Sequence, residues 1–190
     1  MEICINESEP EDSVNRWAMD TISTGEEAVD VPPHWHKNHQ EHITVLEGRL
    51  KVTLDGKTII VKAGDPAVLI KRRVVHSLQS FKGERTVFRE QPDPAGDYKA
   101  LQVWLGSTQD NENYRSDKVL RPGNLPSSNR FFNDVLLQGG FGGVLHTLRA
   151  FYDGDAYLAL PLGSRLLGEA FLTLIGGVAH AFGPSKPEKL

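Results

Sequence analysis

Residues 32–48, PPHWHKNHQEHITVLEG, place imidazoles and a carboxylate within reach of a single ion. Side chains alternate between the two faces of a strand, so His34 and His36 point the same way and Trp35 points the other. Glu41, after a bend, brings a charged oxygen towards the same point, and His76 on a later strand-like stretch offers a further donor. Imidazoles with one carboxylate suit Fe(II), Mn(II), Ni(II), Cu(II) or Zn(II), and an octahedral ion so held keeps positions open for substrate or O2. The plain alternative is a barrel lined by satisfied polar side chains without metal. The presence of all the suitable residue types at this spacing weighs against it.

Outward from this stretch the chain reads as β. Apolar and polar residues alternate from Glu41 to Leu46 and from Arg49 to Leu54, the pattern of half-buried strands. Asp55-Gly56, between LKVTL and KTIIV, is a hairpin signal. Further strands are expected near 66–70, 74–80 and 85–90, with turns at Ala63-Gly64 and Lys82-Gly83, and Tyr98–Leu105 could add another. Many short strands with Gly-rich turns indicate a mainly β sandwich or barrel. Residues 1–30 are polar, with Trp17 and Met19 as anchors of a strand or cover. Residues 106–130 are rich in turn formers and read as a long loop or lid.

The last third changes character. Val144, Leu145, Leu148, Phe151 and Tyr152 form a helical stripe. Pro161 and Gly163 break the chain, after which Ser164 starts a second helix that Gly176-Gly177 would end. The expected organisation is a β-barrel with an N-terminal arm over 1–105, the loop or lid over 106–130, and a helical extension over 131–190 packed on the same domain. Packing as cover is the expected role of the helices.

The run from His34 to Gly48 fits the pattern HxH(x)4E(x)6G without a gap, and in this it resembles the first motif of the cupin superfamily. The second motif is partly present: Gly64-Asp65 begins it and His76 stands at its ligand position. Lys71-Arg72-Arg73 replaces the Pro-x-Gly turn before that histidine, Ser80 replaces the asparagine after it, and Ala28 replaces the usual upstream glycine. The resemblance covers roughly residues 30–90. It implies a cupin double-stranded β-helix, a jelly-roll barrel, here with C-terminal helices. It also implies metal ligation by His34, His36, Glu41 and His76.

At 190 residues and 39% hydrophobic, the chain can bury a full core. A net charge of −4 supplies no basic field for nucleic acid. Cys4 has no second cysteine to pair with, which suits a reducing compartment. The acidic N-terminus lacks the apolar core of a signal peptide, and the greasy stretch 170–182 is too short to span a bilayer. A soluble cytoplasmic protein is expected, with no nucleic-acid or membrane partner. A homodimer, formed through barrel faces, is what the resemblance implies.

Other residues extend the site. Ile43, Val45 and Leu78 face inward by alternation and would give the pocket an apolar wall. Arg73, with its cationic neighbours, could hold an anionic substrate, although cations on a turn are more often solvated. His42 should face outward, and His39 should sit in the bend, where a proton-shuttle role competes with a plain loop position. His146 and His180 lie on apolar helical stretches and read as packing residues.

The leading expectation is a metal-dependent enzyme acting on a small, partly apolar metabolite, with Glu41 able to act as base. One divalent ion would serve as cofactor: Fe first, with Zn, Mn, Ni or Cu as alternatives. Fe(II) would make a dioxygenase, and the other ions an isomerase, cyclase or lyase; a place in specialised metabolite biosynthesis is what the resemblance to stand-alone cupins implies. The alternative is a non-catalytic small-ligand or metal-binding module.

Overall fold

The alternation read from the sequence becomes two antiparallel five-stranded sheets that face one another. The structure, a computed structural model, describes residues 2–6, 8–96, 148, 151–159 and 165–182. The strands are β1 (Glu2–Ile5), β2 (Trp17–Ser23), β3 (Asp30–His36), β4 (Gln40–Glu47), β5 (Arg49–Leu54), β6 (Lys57–Lys62), β7 (Val68–Ile70), β8 (His76–Gln79), β9 (Thr86–Asp93) and β10 (Ala156–Leu158), and helix α1 is Arg165–Phe182. One sheet has the order β1-β2-β9-β4-β7 and the other β10-β3-β8-β5-β6. This is the mainly β sandwich that the patterning predicts, of the double-sheet kind that the motif resemblance implies, with a C-terminal helix. Tyr98–Leu105, the 106–130 loop and His146 lie outside the described residues, as does the side chain of His180.

Side-chain parity builds the core. Ile43 and Val45 of β4, Leu50 and Val52 of β5, Leu78 of β8 and Phe88 of β9 are buried together with Val61 and Ile70. Their alternate neighbours, such as Arg49, Lys51 and His42, face outward with polar heads. The β5–β6 hairpin turns at Asp55 and Gly56, both with positive φ (43° and 84°), the left-handed pair that a two-residue turn needs.

Gly48 ends the ligand-bearing stretch for a physical reason. Its φ is 73°, and a Cβ there would collide with the carbonyl oxygen of Arg85. A side chain at this point would push β4 from β9 just beyond the Val45–Phe88 pair.

The second half of the chain contributes more than cover. Nothing in the patterning of residues 153–164 announces β10, yet it pairs antiparallel with β3, opposing Ala156 to His36 and Leu158 to His34. Outside this sheet, Trp35 stacks on Tyr157 at 4.4 Å between ring centres, and Leu172 of α1 closes over them. Leu148 and Phe151, the described part of the first expected helix, are helical and join this outer cluster. The second helix does not stop at Gly176-Gly177; it continues to Phe182. Gly176 is buried where a Cβ would strike the Tyr152 ring, so this glycine permits close packing instead of ending the helix. No helix among the described residues is long and apolar enough to cross a membrane.

Two outcomes test this packing. Gly48→Ala should lower the unfolding free energy by about 2 kcal/mol or more, read as a lower denaturant midpoint at unchanged slope. Burial first, and then the Asp155 and Glu169 carboxylates, push the Tyr157 phenol up to about 12. The unfolded chain ionises that phenol at about 10, so stability is intact below this pH and declines as pH climbs through the interval. Alkaline titration at the tyrosinate absorption should show a late step that Tyr157→Phe removes.

Candidate metal centre

Three strands bring four donors to one point. β3 turns His34 and His36 inward, β8 sets His76 directly across from His34, and β4 in the facing sheet supplies Glu41. Pro32-Pro33 lie where the β3–β8 register shifts between Val31 and His34, and prolines, having no N–H to give a ladder, suit such a bulge. The ligand atoms of His34, His36, Glu41 and His76 all lie within 4.8 Å of one another. Their exposures are 7%, 2%, 0% and 1%, so the charge of Glu41 has almost no water. The set read from the sequence is the set the fold assembles.

The outer face of each imidazole decides its chemistry. Nδ1 of His34 lies 2.8 Å from the Pro32 carbonyl, Nδ1 of His76 lies 3.0 Å from that of Val74, and Nδ1 of His36 lies 2.9 Å from that of Asp155. A carbonyl only accepts, so each Nδ1 carries a proton and each ring is turned with its Nε2 away from that carbonyl. Nε2 of His36 sits 3.2 Å from Oε1 of Glu41, and Nε2 of His76 sits 3.1 Å from Oε2. At this range an imidazole nitrogen and a carboxylate oxygen share a proton or hold a cation between them. A buried carboxylate ringed by three oriented Nε2 atoms is a donor set that fits a divalent transition ion.

His39 takes the loop position expected of it, yet its ring turns inward. Its backbone lies in the bend, but its ring is fully buried, 4.2 Å from the His36 ring, with Nε2 3.9 Å from Oε1 of Glu41. Its Nδ1 is 3.0 Å from Oδ2 of Asp155, a residue the sequence reading did not select. Burial works against the charge of Asp155, but hydrogen bonds from His39 and the Asn38 backbone outweigh it and hold the carboxyl below its usual range. No local signal marks Asp155: an aspartate in YDGDAY reads as a turn residue.

The remaining candidates fall in different places. Ile43, Val45 and Leu78 stand on the inward faces of the ligand strands, within the buried apolar cluster. Arg73 is exposed at a left-handed turn (φ 64°), and its N–H donates to the carbonyl of His36 at 2.8 Å. Its guanidinium pairs with Glu169 of α1 at 3.2 Å and lies over the Trp35 ring. His42 faces outward as expected, 3.6 Å from Asp93. Ser80 ties the end of β8 to the lead-in of β3, accepting from the Val29 N–H at 2.8 Å and donating to Ser23 at 3.2 Å.

Residues 22–88 match the family model described as "Cupin domain". No curated protein matches the sequence. Among solved structures, KdgF from Halomonas sp. is 21% identical over 43% of this chain and 70% of its own, with a TM-score of 0.37. An RmlC-like cupin from Shewanella frigidimarina is 22% identical over 42% of this chain and 66% of its own, TM-score 0.36. L-ribose isomerase from Cellulomonas parahominis is 15% identical over 42% of this chain and 50% of its own, TM-score 0.35. The aligned region thus leaves more than half of the present chain unmatched in each case.

Elemental analysis of protein purified without chelator should find about one divalent transition ion per chain, as expected for a single mononuclear site. His36→Ala and Glu41→Ala should each lose most of it, with both variants still folded. Full metal content in both would remove these residues from the site.

Proposed function

We propose that this chain, a member of the cupin superfamily through its domain at residues 22–88, is a metal-dependent enzyme acting on a small, partly apolar metabolite. One observation carries the reading: His34, His36 and His76, each with Nδ1 held by a carbonyl, gather around the buried carboxyl of Glu41 with all four ligand atoms within 4.8 Å of one another. When bound, the ion supplies Lewis acidity towards a carbonyl or enolate oxygen and, if it is Fe(II), an open position for O2.

The chain's own groups do the rest. The imidazoles hold the ion and orient what binds to it. Glu41 offsets its charge and has an oxygen that can take a proton from a substrate C–H or O–H. Ile43, Val45 and Leu78 keep the inner wall dry, which strengthens every electrostatic contact at the centre. Arg73 enters as a brace on the His36 carbonyl, since Glu169 already engages its guanidinium. The apolar surround of the donors is what supports a small, partly apolar substrate.

Proton exchange at carbon tests the reading without knowledge of the natural substrate. Metal-loaded protein in D2O should exchange α-protons of small keto acids or β-dicarbonyls, followed by NMR. Glu41→Gln should lower the rate by about a hundredfold or more, the usual weight of a positioned base. If iron is the ion found, oxygen uptake with the same panel is the parallel assay. Metal-loaded protein that binds members of the panel but neither exchanges nor oxidises them would make this a binding module.

A further inference from the structure

Two of the carbonyls that orient the ligand histidines are local, and the third is remote. His34 and His76 each bond the carbonyl two residues back, an arrangement that their own strands provide. His36 bonds the carbonyl of Asp155, which is 119 residues away and outside the matched cupin region. The side chain of that same residue takes the other end of the ligand segment. Oδ2 accepts from the Asn38 N–H at 2.6 Å, the His39 N–H at 3.3 Å and Nδ1 of His39 at 3.0 Å, while Oδ1 accepts from Nδ2 of Asn38 at 2.9 Å. Residues 37–39 are the bend that carries the chain from His36 to Glu41, so these bonds bear on both ligands at once.

We propose that Asp155 is a positioning residue of the metal centre. Its carbonyl fixes the His36 ring, and its carboxylate fixes the bend that delivers Glu41. This rests on the metal reading given above and deepens it, because the centre then needs the segment after residue 97 as well as the barrel. Three features make the placement firm. Asp155 is 2% exposed, and β10 begins at the next residue, with Ala156 paired to His36. Its φ of 53° is a left-handed conformation that aspartate and asparagine adopt more readily than other side chains. Among the described residues, the donors aimed at its carboxylate come from two consecutive positions, Asn38 and His39.

Asp155→Asn isolates the carboxylate. Asparagine keeps the left-handed backbone, and with it the carbonyl on His36, but its NH2 must oppose one of the N–H donors of residues 38 and 39. Co(II) serves as the probe, with affinity from chelator competition and coordination from its visible ligand-field bands. Relative to the parent, Asp155→Asn should bind Co(II) about 10- to 100-fold more weakly, the range seen when a group that orients a metal ligand is lost. Its bands should shift, and the amides of Asn38 and His39 should exchange faster in the metal-free protein. Affinity within twofold of the parent with identical bands overturns the proposal.

Should Asp155→Asn not fold, Asn38→Ala removes one of the carboxylate's partners from the exposed side and should give a smaller loss in the same direction. Unchanged affinity there also overturns it. A parent that takes up no Co(II) sinks the metal reading itself, which is a distinct result from a parent that binds and a variant that binds equally well.

Discussion

A carboxyl group with no access to water, ringed by imidazole nitrogens, is the constraint on which the rest of this molecule depends. Desolvating one such charge costs several kcal/mol even after relaxation. The fold must therefore hold Glu41, His36 and His76 where they would not gather unaided. It does so with apolar mass on one side and carbonyls on the other. Ile43, Val45, Leu78 and Phe88 fix the ligand strands by packing. The carbonyls of Pro32, Val74 and Asp155 fix the rings by hydrogen bonds. A bound cation would turn the same geometry from a cost into a gain and so link metal binding to fold stability through these residues.

How much of this was legible in the sequence depends on how far each contact reaches. The ligands were legible because they follow strand parity: His34 and His36 are two apart, and Glu41 and Ile43 share a face. The Asp55-Gly56 hairpin and the strands on either side were legible for the same local reason. β10 was not, because three residues are too few to show alternation, and their pairing with β3 spans more than a hundred positions. The helix end was misjudged at Gly176 because a glycine reads as a stop unless Tyr152 is known to lie against it. His39 shows both sides: the spacing between His36 and Glu41 put its backbone in the bend, but only Asp155 explains why its ring is buried there.

The residues that replace the second motif's usual turn also acquire a role that spacing could not announce. Lys71-Arg72-Arg73 reads as an anion receptor or a solvated turn. In the structure Arg73 does neither alone, because its N–H supports the His36 carbonyl and its guanidinium meets Glu169. Ser80 likewise does a local job, bridging β8 to the start of β3 and to Ser23. The departures from the familiar motif thus lie in the supports of the centre, while the donor atoms are unchanged.

Magnitudes decide what holds the C-terminal segment to the barrel. Glu169 of α1 pairs with Lys37 at 2.6 Å and with Arg73 at 3.2 Å, and both partners are a third or more exposed. Such pairs are worth about 0–1 kcal/mol each, less in salt. The stacked Trp35 and Tyr157 with Leu172 remove far more apolar surface from water, and fully burying a side chain of this size contributes about 1.5–3 kcal/mol. The helix is therefore held chiefly by apolar contact, and the ion pairs set its register over the ligand bend. Because Trp35 lies between two ligands, the packing that retains the helix also fixes the strand on which His34 and His36 stand. The cover and the centre are two faces of β3.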